Sequence, residues 1–347
     1  MMAWFMEFFF DSTLSHWIWS IVMGVTDVLD ELFDRLTGRA AAPAYFRSWQ
    51  NRPPPKYPLP DLEHDLPIKT SHADICGEYL VTLLFSYIPV EEIKATLSGD
   101  LHIDPKNIRA DGTHPVIYMF GYTENLHRVW NPLRGPSYLE YAVGVPNLYI
   151  SGDQGYVGPF LYLPVLHLNR VYPTILGRLA GYRKYLSRIT TTENTYQIKT
   201  LFSGKPLLSA TFEPIGAIET PPHEANLDKW QGLLGQPGAN PYLWGQTLFL
   251  HYHWGWNYSM MQPVNAQVTV SQDMPALPKG TYNWKAITSA SFVALQVPEG
   301  SFRCSIPFEL LPPFSRAKLV PMPPMAPHGV RPNPSPAVSR PPADPQG

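Results

Sequence analysis

Short apolar stretches, rich in aromatic and β-branched residues, alternate with Gly and Pro through most of the sequence between residues 70 and 311. Such stretches are typical of β-strands, and turns are expected where Gly and Pro interrupt them. The predicted strands read EYLVTLLFSYI, PVIYMFGYT, YLEYAVGVPNLYI, GPFLYLPVLHL, QIKTLFS, LLSATFEPI, LWGQTLFLHYHWGWN, VNAQVTVS and WKAITSASFVAL. Many strands with few helices predict a mainly β (α+β) domain over 70–311, either an antiparallel barrel or a sandwich.

Helical periodicity in this region is confined to two short segments. The first runs from Pro89 to Leu97 and contains VEEIKATL. The second begins at Pro173, a favourable first helical residue, and stops at Gly181. We expect both to be small helices attached to the strands.

The first 40 residues form a separate predicted unit. Apolar residues recur there at helical spacing, at Leu14, Ile18, Ile21, Val22, Val25, Leu29, Leu32, Phe33 and Leu36. Acidic Glu7 and Asp11 replace the basic start of a secretory signal, and with His16 they interrupt the run that a membrane span needs. An amphipathic helix over 1–40 is therefore predicted. Two alternatives stay open: it lies on a membrane surface, or it packs on its own domain or a second subunit of a homo-oligomer.

Proline is unusually abundant, with 39 residues concentrated in 53–67 and from Pro312 onward. Because proline fixes φ and removes an N–H donor, these segments predict a linker over 41–69 and a disordered tail over 312–347. The net charge of −2 gives no basic excess for a phosphate backbone, so no nucleic-acid partner is expected. Two cysteines, Cys76 and Cys304, are interpreted as free thiols of a cytoplasmic protein, membrane-associated if the first helix meets lipid.

The sequence lacks the common cofactor motifs. Neither GxGxxG nor GxxxxGKS occurs, so no nucleotide cofactor is predicted, and no CxxC pattern marks a structural zinc site. In HYHWGW, strand alternation places His251 and His253 on one face, where they could chelate a metal with a third ligand such as His223 or Glu224. The favoured interpretation is a polar strand face hydrogen-bonded to its neighbours, without a metal.

Two charged residues are the candidates for chemistry. In YLEYAVGV, Glu140 shares a strand face with Ala142 and Gly144, a face with spare volume that either lines a cavity or meets solvent. Lys184 shares a face with Tyr182 and Leu186 if this segment is extended. Burial there would lower the pKa of the amine and make it a nucleophile toward ketones. The alternative is a solvated basic turn of helix.

The order of segments resembles the acetoacetate decarboxylase-like family. The matching elements are Tyr138-Leu139-Glu140, Val145-Pro146, Gly155-Tyr156, Phe160 to Leu168, Pro173 to Ala180 and Gly181-Tyr182-Arg183-Lys184-Tyr185. Upstream, FSYIPVEEIKATLSGDLHID looks like the family's strand and short helix, and downstream NWKAITSASFVALQVPEG looks like its closing strand pair. The sequence departs from the family pattern at several positions. Tyr185 replaces the second lysine of the family pair, Arg183 replaces the preceding proline, Gly177-Arg178-Leu179 matches the family's G-R-E element only in part, and Gly99-Asp100 stands where a proline is usual.

This resemblance implies a closed, cone-shaped antiparallel β-barrel with small peripheral helices. It implies that Lys184 forms a Schiff base with a small β-keto acid and that Glu140 is the carboxylate of the cavity. Glu140 would orient the substrate or relay a proton. Tyr182 would line the substrate site, and Arg183 or Arg178 would hold the substrate carboxylate. The predicted activity is a decarboxylase-like carbon–carbon lyase. The alternative is a non-catalytic protein that uses the same barrel to bind a small ligand or act as a scaffold.

Overall fold

A computed structural model describes residues 59, 75–97, 100–128, 137–152, 155–179, 182–218, 232–241, 247–287, 299–310 and 314–315 of the 347-residue chain. The predicted helix over 1–40 lies outside the described residues, and so do the linker over 41–69 apart from Leu59 and the tail over 312–347 apart from Phe314 and Ser315. Within the described ranges, none of the helices has the length and apolar character needed to cross a membrane.

Strands dominate the described ranges, as the apolar pattern predicts. They are β1 Ile75–Pro89, β2 Leu101–Ile103, β3 Thr113–Arg128, β4 Tyr138–Gly152, β5 Gly155–Leu168, β6 Lys184–Thr191, β7 Thr195–Thr200, β8 Pro206–Pro214, β9 Gly238–Pro241, β10 Thr247–Leu250, β11 Tyr252–Trp254, β12 Met260–Val270, β13 Gly280–Trp284, β14 Gly300–Leu310 and β15 Phe314–Ser315. The two predicted small helices are present as α1 Val90–Lys94 and α2 Val171–Leu179. Single 3₁₀ turns occupy Pro105–Asn107 and Trp256–Tyr258.

Nine of these strands close into a barrel, which confirms the predicted fold and decides against a sandwich. The order around the barrel is β5-β6-β7-β8-β12-β14-β1-β3-β4, and β4 pairs with β5 to complete the ring. Neighbouring strands in the ring are antiparallel except β5 and β6, which are parallel. Parallel neighbours need a crossover connection, and α2 lies in that connection.

Buried side chains form two apolar clusters, one on each face of the barrel wall. In the first cluster, the ring of Phe120 on β3 lies 5.3 Å from Phe212 on β8 and 5.4 Å from Tyr196 on β7. Because β3 and β8 are not neighbours in the ring, these contacts cross the barrel interior. The second cluster covers the outer face of β1, β3, β4, β5 and β14, where Leu233, Leu234, Leu250 and Trp256 pack over the wall.

Candidate active site

Glu140 lies on the outer face of the barrel wall, beneath the second apolar cluster. The alternation along β4 is as predicted, since Leu139, Tyr141, Val143 and Val145 belong to the interior cluster while Ala142 packs in the outer one. The carboxyl group is surrounded by protein, and burial raises its pKa above the ordinary value. Glu140 is half-buried overall, so this strand face is largely covered at Glu140 rather than open to solvent.

Lys184 is the first residue of β6 and points to the same outer face. It pairs with Leu166 on β5, and Leu166 pairs with Ala142 on β4. Lys184 is therefore two strands away from Ala142, which lies two residues along β4 from Glu140. Its Nζ lies 5.4 Å from the ring centre of Tyr182 and 6.0 Å from that of Tyr138. The residue is half-buried overall, but its amine end is enclosed by these rings and by α2.

Gly177 on α2 makes room for the lysine side chain. A Cβ at this position would collide with Cδ and Cε of Lys184 and would lie 2.7 Å from Nζ. Glycine in a helix interior costs about 1 kcal/mol relative to alanine. Gly177 therefore does not stabilise the helix, and its presence is explained by the space that the Lys184 side chain needs. The crossover helix thus fixes the position of the amine.

The two charged groups influence each other. Burial lowers the pKa of Lys184, and the nearby Glu140 carboxylate opposes that shift. Burial raises the pKa of Glu140, and Lys184 together with Tyr79 opposes that shift. Desolvation is the larger cause for both residues, so the enclosure favours the neutral amine and the neutral acid relative to water.

Tyr79 is a residue of this site that the sequence interpretation missed. It lies on β1, and its hydroxyl approaches the Glu140 carboxyl closely enough to lower the pKa of that acid, although not in strict hydrogen-bond geometry. Gly121, which pairs with Glu140 across β3 and β4, makes this approach possible because a Cβ there would collide with the Tyr79 hydroxyl. The signal available in the sequence was a tyrosine and a glycine in two adjacent strands, which alone does not specify a contact.

A second polar group lies beyond Tyr182 and was also missed. The Tyr182 hydroxyl is close to Tyr252 and to the side chain of Asn240, and both affect its pKa. Asn240 is fully buried on β9, and neither atom of its amide makes a hydrogen bond in strict geometry among the described residues. Trp254 stacks on Tyr252 at 5.2 Å between ring centres and lies 5.9 Å from Tyr79, which encloses this side of the site.

The structure does not bring the two predicted arginines into the cluster. Arg183 and Arg178 are both exposed, and Nε of Arg178 donates to the backbone carbonyl of Lys184 at 2.7 Å. Tyr185 lies on the opposite face of β6 from Lys184, where its ring stacks on His167 at 5.5 Å. Binding of a substrate carboxylate by either arginine therefore stays a prediction that requires its side chain to move.

The histidine pair has separate partners. His251 Nε2 is 3.0 Å from the Gly235 carbonyl oxygen, and His253 Nδ1 is 3.1 Å from Oε2 of the buried Glu309. Within the ranges that the structure describes, no three metal-ligating side chains come together. His223 and Glu224, the suggested third ligands, lie outside the described residues.

Neither a family model nor a curated protein matches this sequence. Among solved structures, the chain is similar to the enduracididine biosynthesis enzyme MppR complexed with pyruvate, at 10% identity, 71% of this chain, 91% of that chain and a TM-score of 0.47. It is similar to acetoacetate decarboxylase from Legionella pneumophila at 14% identity, 74% and 91% coverage and a TM-score of 0.41. It is also similar to an acetoacetate decarboxylase-like enzyme from Sphingomonas wittichii RW1, at 11% identity over 71% of this chain and 93% of that chain, with a TM-score of 0.46. The chain is thus similar in structure to acetoacetate decarboxylase-like proteins, the family that its sequence resembles.

Proposed function

We propose that this chain is a Schiff-base lyase that cleaves a carbon–carbon bond of a small β-keto acid, with Lys184 as the nucleophile. The observation that carries the proposal is the enclosed amine of Lys184, held between two tyrosine rings with a buried carboxyl as its charged neighbour. A lysine in water is almost entirely protonated at neutral pH, because its ordinary pKa is about 10.4. Burial that lowers this pKa increases the fraction of neutral amine, which is the reactive form.

The reaction begins when the amine of Lys184 adds to the ketone carbon and water leaves, giving a protonated imine. The imine then accepts the electron pair of the breaking carbon–carbon bond, so that carbon dioxide departs and an enamine remains. A proton added to the enamine carbon restores the imine, and water hydrolyses it to the product ketone and the free amine. No metal or organic cofactor has a step in this sequence.

Glu140 is the proposed proton relay. Because its pKa is raised, a larger fraction of Glu140 is protonated near neutral pH than of an ordinary glutamate. This suits an acid that donates and regains a proton. Tyr79 approaches the same carboxyl group across Gly121 and restricts where it can point. Tyr138, Glu140, Lys184 and Tyr252 are each half-buried, and a small substrate would reach the amine between them.

Borohydride trapping tests this proposal directly. The protein is incubated with acetoacetate or pyruvate, reduced with borohydride and digested, and the modified peptide is located by mass spectrometry. We expect one adduct on Lys184 and none in Lys184→Ala, with Lys285→Ala, an exposed lysine remote from the site in sequence, as the matched control. Turnover that persists in Lys184→Ala would refute the Schiff-base mechanism. Absence of any adduct in the wild-type protein would instead favour the alternative of a non-catalytic ligand-binding protein.

A further inference from the structure

Asn240 is a buried polar side chain beside Tyr182 that has no step in the proposed chemistry. Its amide is completely enclosed, yet among the described residues neither the nitrogen nor the oxygen makes a hydrogen bond in strict geometry, although the Tyr182 hydroxyl lies beside it. Leaving such a group unsatisfied costs about 1–3 kcal/mol, so buried amides without partners are uncommon in folded proteins. An amide held in this way has hydrogen-bonding capacity left for a further group.

The position of Asn240 connects it to the lysine through Tyr182. The ring centre of Tyr182 is 5.4 Å from Nζ of Lys184, while the hydroxyl at its far end lies beside the Asn240 amide. That hydroxyl is also buried and without a partner in strict geometry, and burial raises the pKa of Tyr182, so it stays a neutral donor. Amide and hydroxyl together form a polar end of the site about one tyrosine ring away from the amine.

We propose that Asn240 and Tyr182 bind the carboxylate of the keto acid whose ketone carbon reacts with Lys184. This inference rests on the proposed function and names the part of the site that selects its substrate class. A β-keto acid places its carboxylate two bonds from the reacting carbon, so that one end can bond to Nζ while the other reaches the polar pair. Both side chains donate hydrogen bonds without carrying charge.

Neutral donors suit a decarboxylation better than a guanidinium. The carboxylate carries its charge in the ground state and loses it as the carbon–carbon bond breaks and carbon dioxide forms. An interaction that is stronger in the ground state than in the transition state slows the reaction. Neutral donors orient the carboxylate with less ground-state stabilisation than an ion pair would give, which is consistent with Arg178 and Arg183 lying outside the cluster.

The experiment compares an anionic ligand with a neutral one of similar shape. Acetoacetate and acetylacetone both present a ketone to Lys184, but only acetoacetate carries a carboxylate. For each compound we would measure the concentration that gives half-maximal modification of Lys184, by borohydride adduct or by enaminone absorbance. Asn240→Asp puts a negative charge where the carboxylate would bind, and Asn283→Asp makes the same change at an exposed position on β13.

We expect Asn240→Asp to raise the half-maximal concentration of acetoacetate at least about tenfold more than that of acetylacetone, because the hydrogen bonds to a charged group are replaced by repulsion. The quantity compared is the half-maximal concentration of acetoacetate divided by that of acetylacetone. This ratio corrects for any change in the reactivity of Lys184 itself, because such a change affects both compounds. Tyr182→Phe removes the second donor and should shift the same ratio in the same direction, even if Asn240→Asp fails to fold. Asn283→Asp should leave the ratio unchanged.

Two results would overturn the inference, and they are distinguishable. If the wild-type protein is modified at Lys184 but neither variant changes the ratio, the carboxylate binds elsewhere while the Schiff-base proposal stands. If neither compound modifies Lys184 in the wild-type protein, the proposed function fails and this inference fails with it.

Discussion

At the scale of single residues, the candidate site depends on a balance between desolvation and one charge pair. Burial favours neutral forms of both Lys184 and Glu140, while their mutual attraction favours the ionised forms. Desolvation is the larger cause for each, so burial lowers the pKa of Lys184 without a second lysine beside it. Alternation along β4 predicted the face of Glu140, but no sequence pattern specifies that Tyr79 approaches Glu140 or that Asn240 approaches Tyr182, since these residues come from distant segments.

Glu140→Gln should move the reactivity of Lys184 to lower pH. The carboxylate of Glu140 stabilises the ammonium form and raises the pKa of Lys184, so its removal lowers that pKa further. The neutral fraction therefore appears at lower pH, and the midpoint of enaminone formation with acetylacetone falls relative to the wild-type protein. Turnover of a keto acid should fall at the same time, by about 100-fold or more, because the proton relay is lost.

Glu213→Gln is the control for this variant, since Glu213 is an exposed glutamate on β8. It should change neither the midpoint nor turnover. A midpoint that rises or stays constant in Glu140→Gln would show that the Glu140 carboxyl group does not interact with the amine.

Placing a lysine at position 185 should leave the pH midpoint of Lys184 reactivity unchanged. The resemblance to two-lysine proteins predicts that Tyr185→Lys would lower the pH midpoint if the new side chain reached Lys184. Tyr185, however, is 46% exposed and lies on the other face of β6, with Arg178 5.8 Å from its ring centre. A new ammonium group there stays in solvent, where its influence on a buried group is small. A midpoint shifted clearly downward would contradict the observed orientation of β6.

At the scale of elements, some of the fold could be predicted and some could not. The long apolar stretches of β1, β3, β4 and β5 were predicted because their hydrophobic content is high throughout. β14 was missed, although Phe302, Cys304, Ile306, Phe308 and Leu310 alternate along it. Pro307 and the preceding Pro298 and Gly300 obscured that signal, yet this strand joins β1 to β12 and the barrel cannot close without it. β9 has the sequence GANP, which is typical of a turn, so its Asn240 was not considered.

The helix α2 was predicted from Pro173 but begins at Val171, and its function in the site appears only in three dimensions. It connects the parallel pair β5 and β6 and presents Gly177 to Lys184. The sequence left open whether Lys184 belonged to a basic helical turn or to a strand. The strand pairing of Lys184 with Leu166 decides for the strand.

Gly177→Ala should separate helix stability from site geometry. Alanine favours the helix by about 1 kcal/mol over glycine. Its Cβ, however, occupies the space of Cδ and Cε of Lys184, so the amine must move. We expect borohydride trapping at Lys184 to fall at least about tenfold while thermal unfolding changes little, because a misplaced reacting group lowers the rate strongly.

The matched control for this change is Gly232→Ala, because a Cβ at Gly232 meets no atom of the described residues within 4 Å. That variant should trap ketone at the wild-type rate. Unchanged trapping in Gly177→Ala would mean that Lys184 reacts from another side-chain conformation.

At the scale of the whole molecule, the barrel is joined to a residue of the Pro-rich segment that the sequence assigns to a linker. Leu59 is 4% exposed, and its side chain lies near Gly255. Its backbone N–H donates to Oε1 of Glu309 at 3.0 Å, and Oε2 of the same carboxylate is 3.1 Å from His253. The linker over 41–69 stays a prediction from composition. The contact with Glu309 spans 250 positions in the chain and leaves no local pattern.

Leu59→Ala in the full chain tests whether this contact stabilises the barrel. Truncating a buried leucine typically costs about 2–5 kcal/mol, and a site at the edge of a fold relaxes more easily than a central one, so we expect about 2 kcal/mol here. The N–H bond to Glu309 is retained in the variant, so the loss reports the packing of the side chain alone. Denaturant unfolding followed by tryptophan fluorescence measures the change, with Val171→Ala, a 44% exposed position, expected to stay within about 0.5 kcal/mol of wild type. If Leu59→Ala also falls within that margin, residue 59 packs on the barrel without stabilising it, and the folded unit begins after the linker, as the composition predicted.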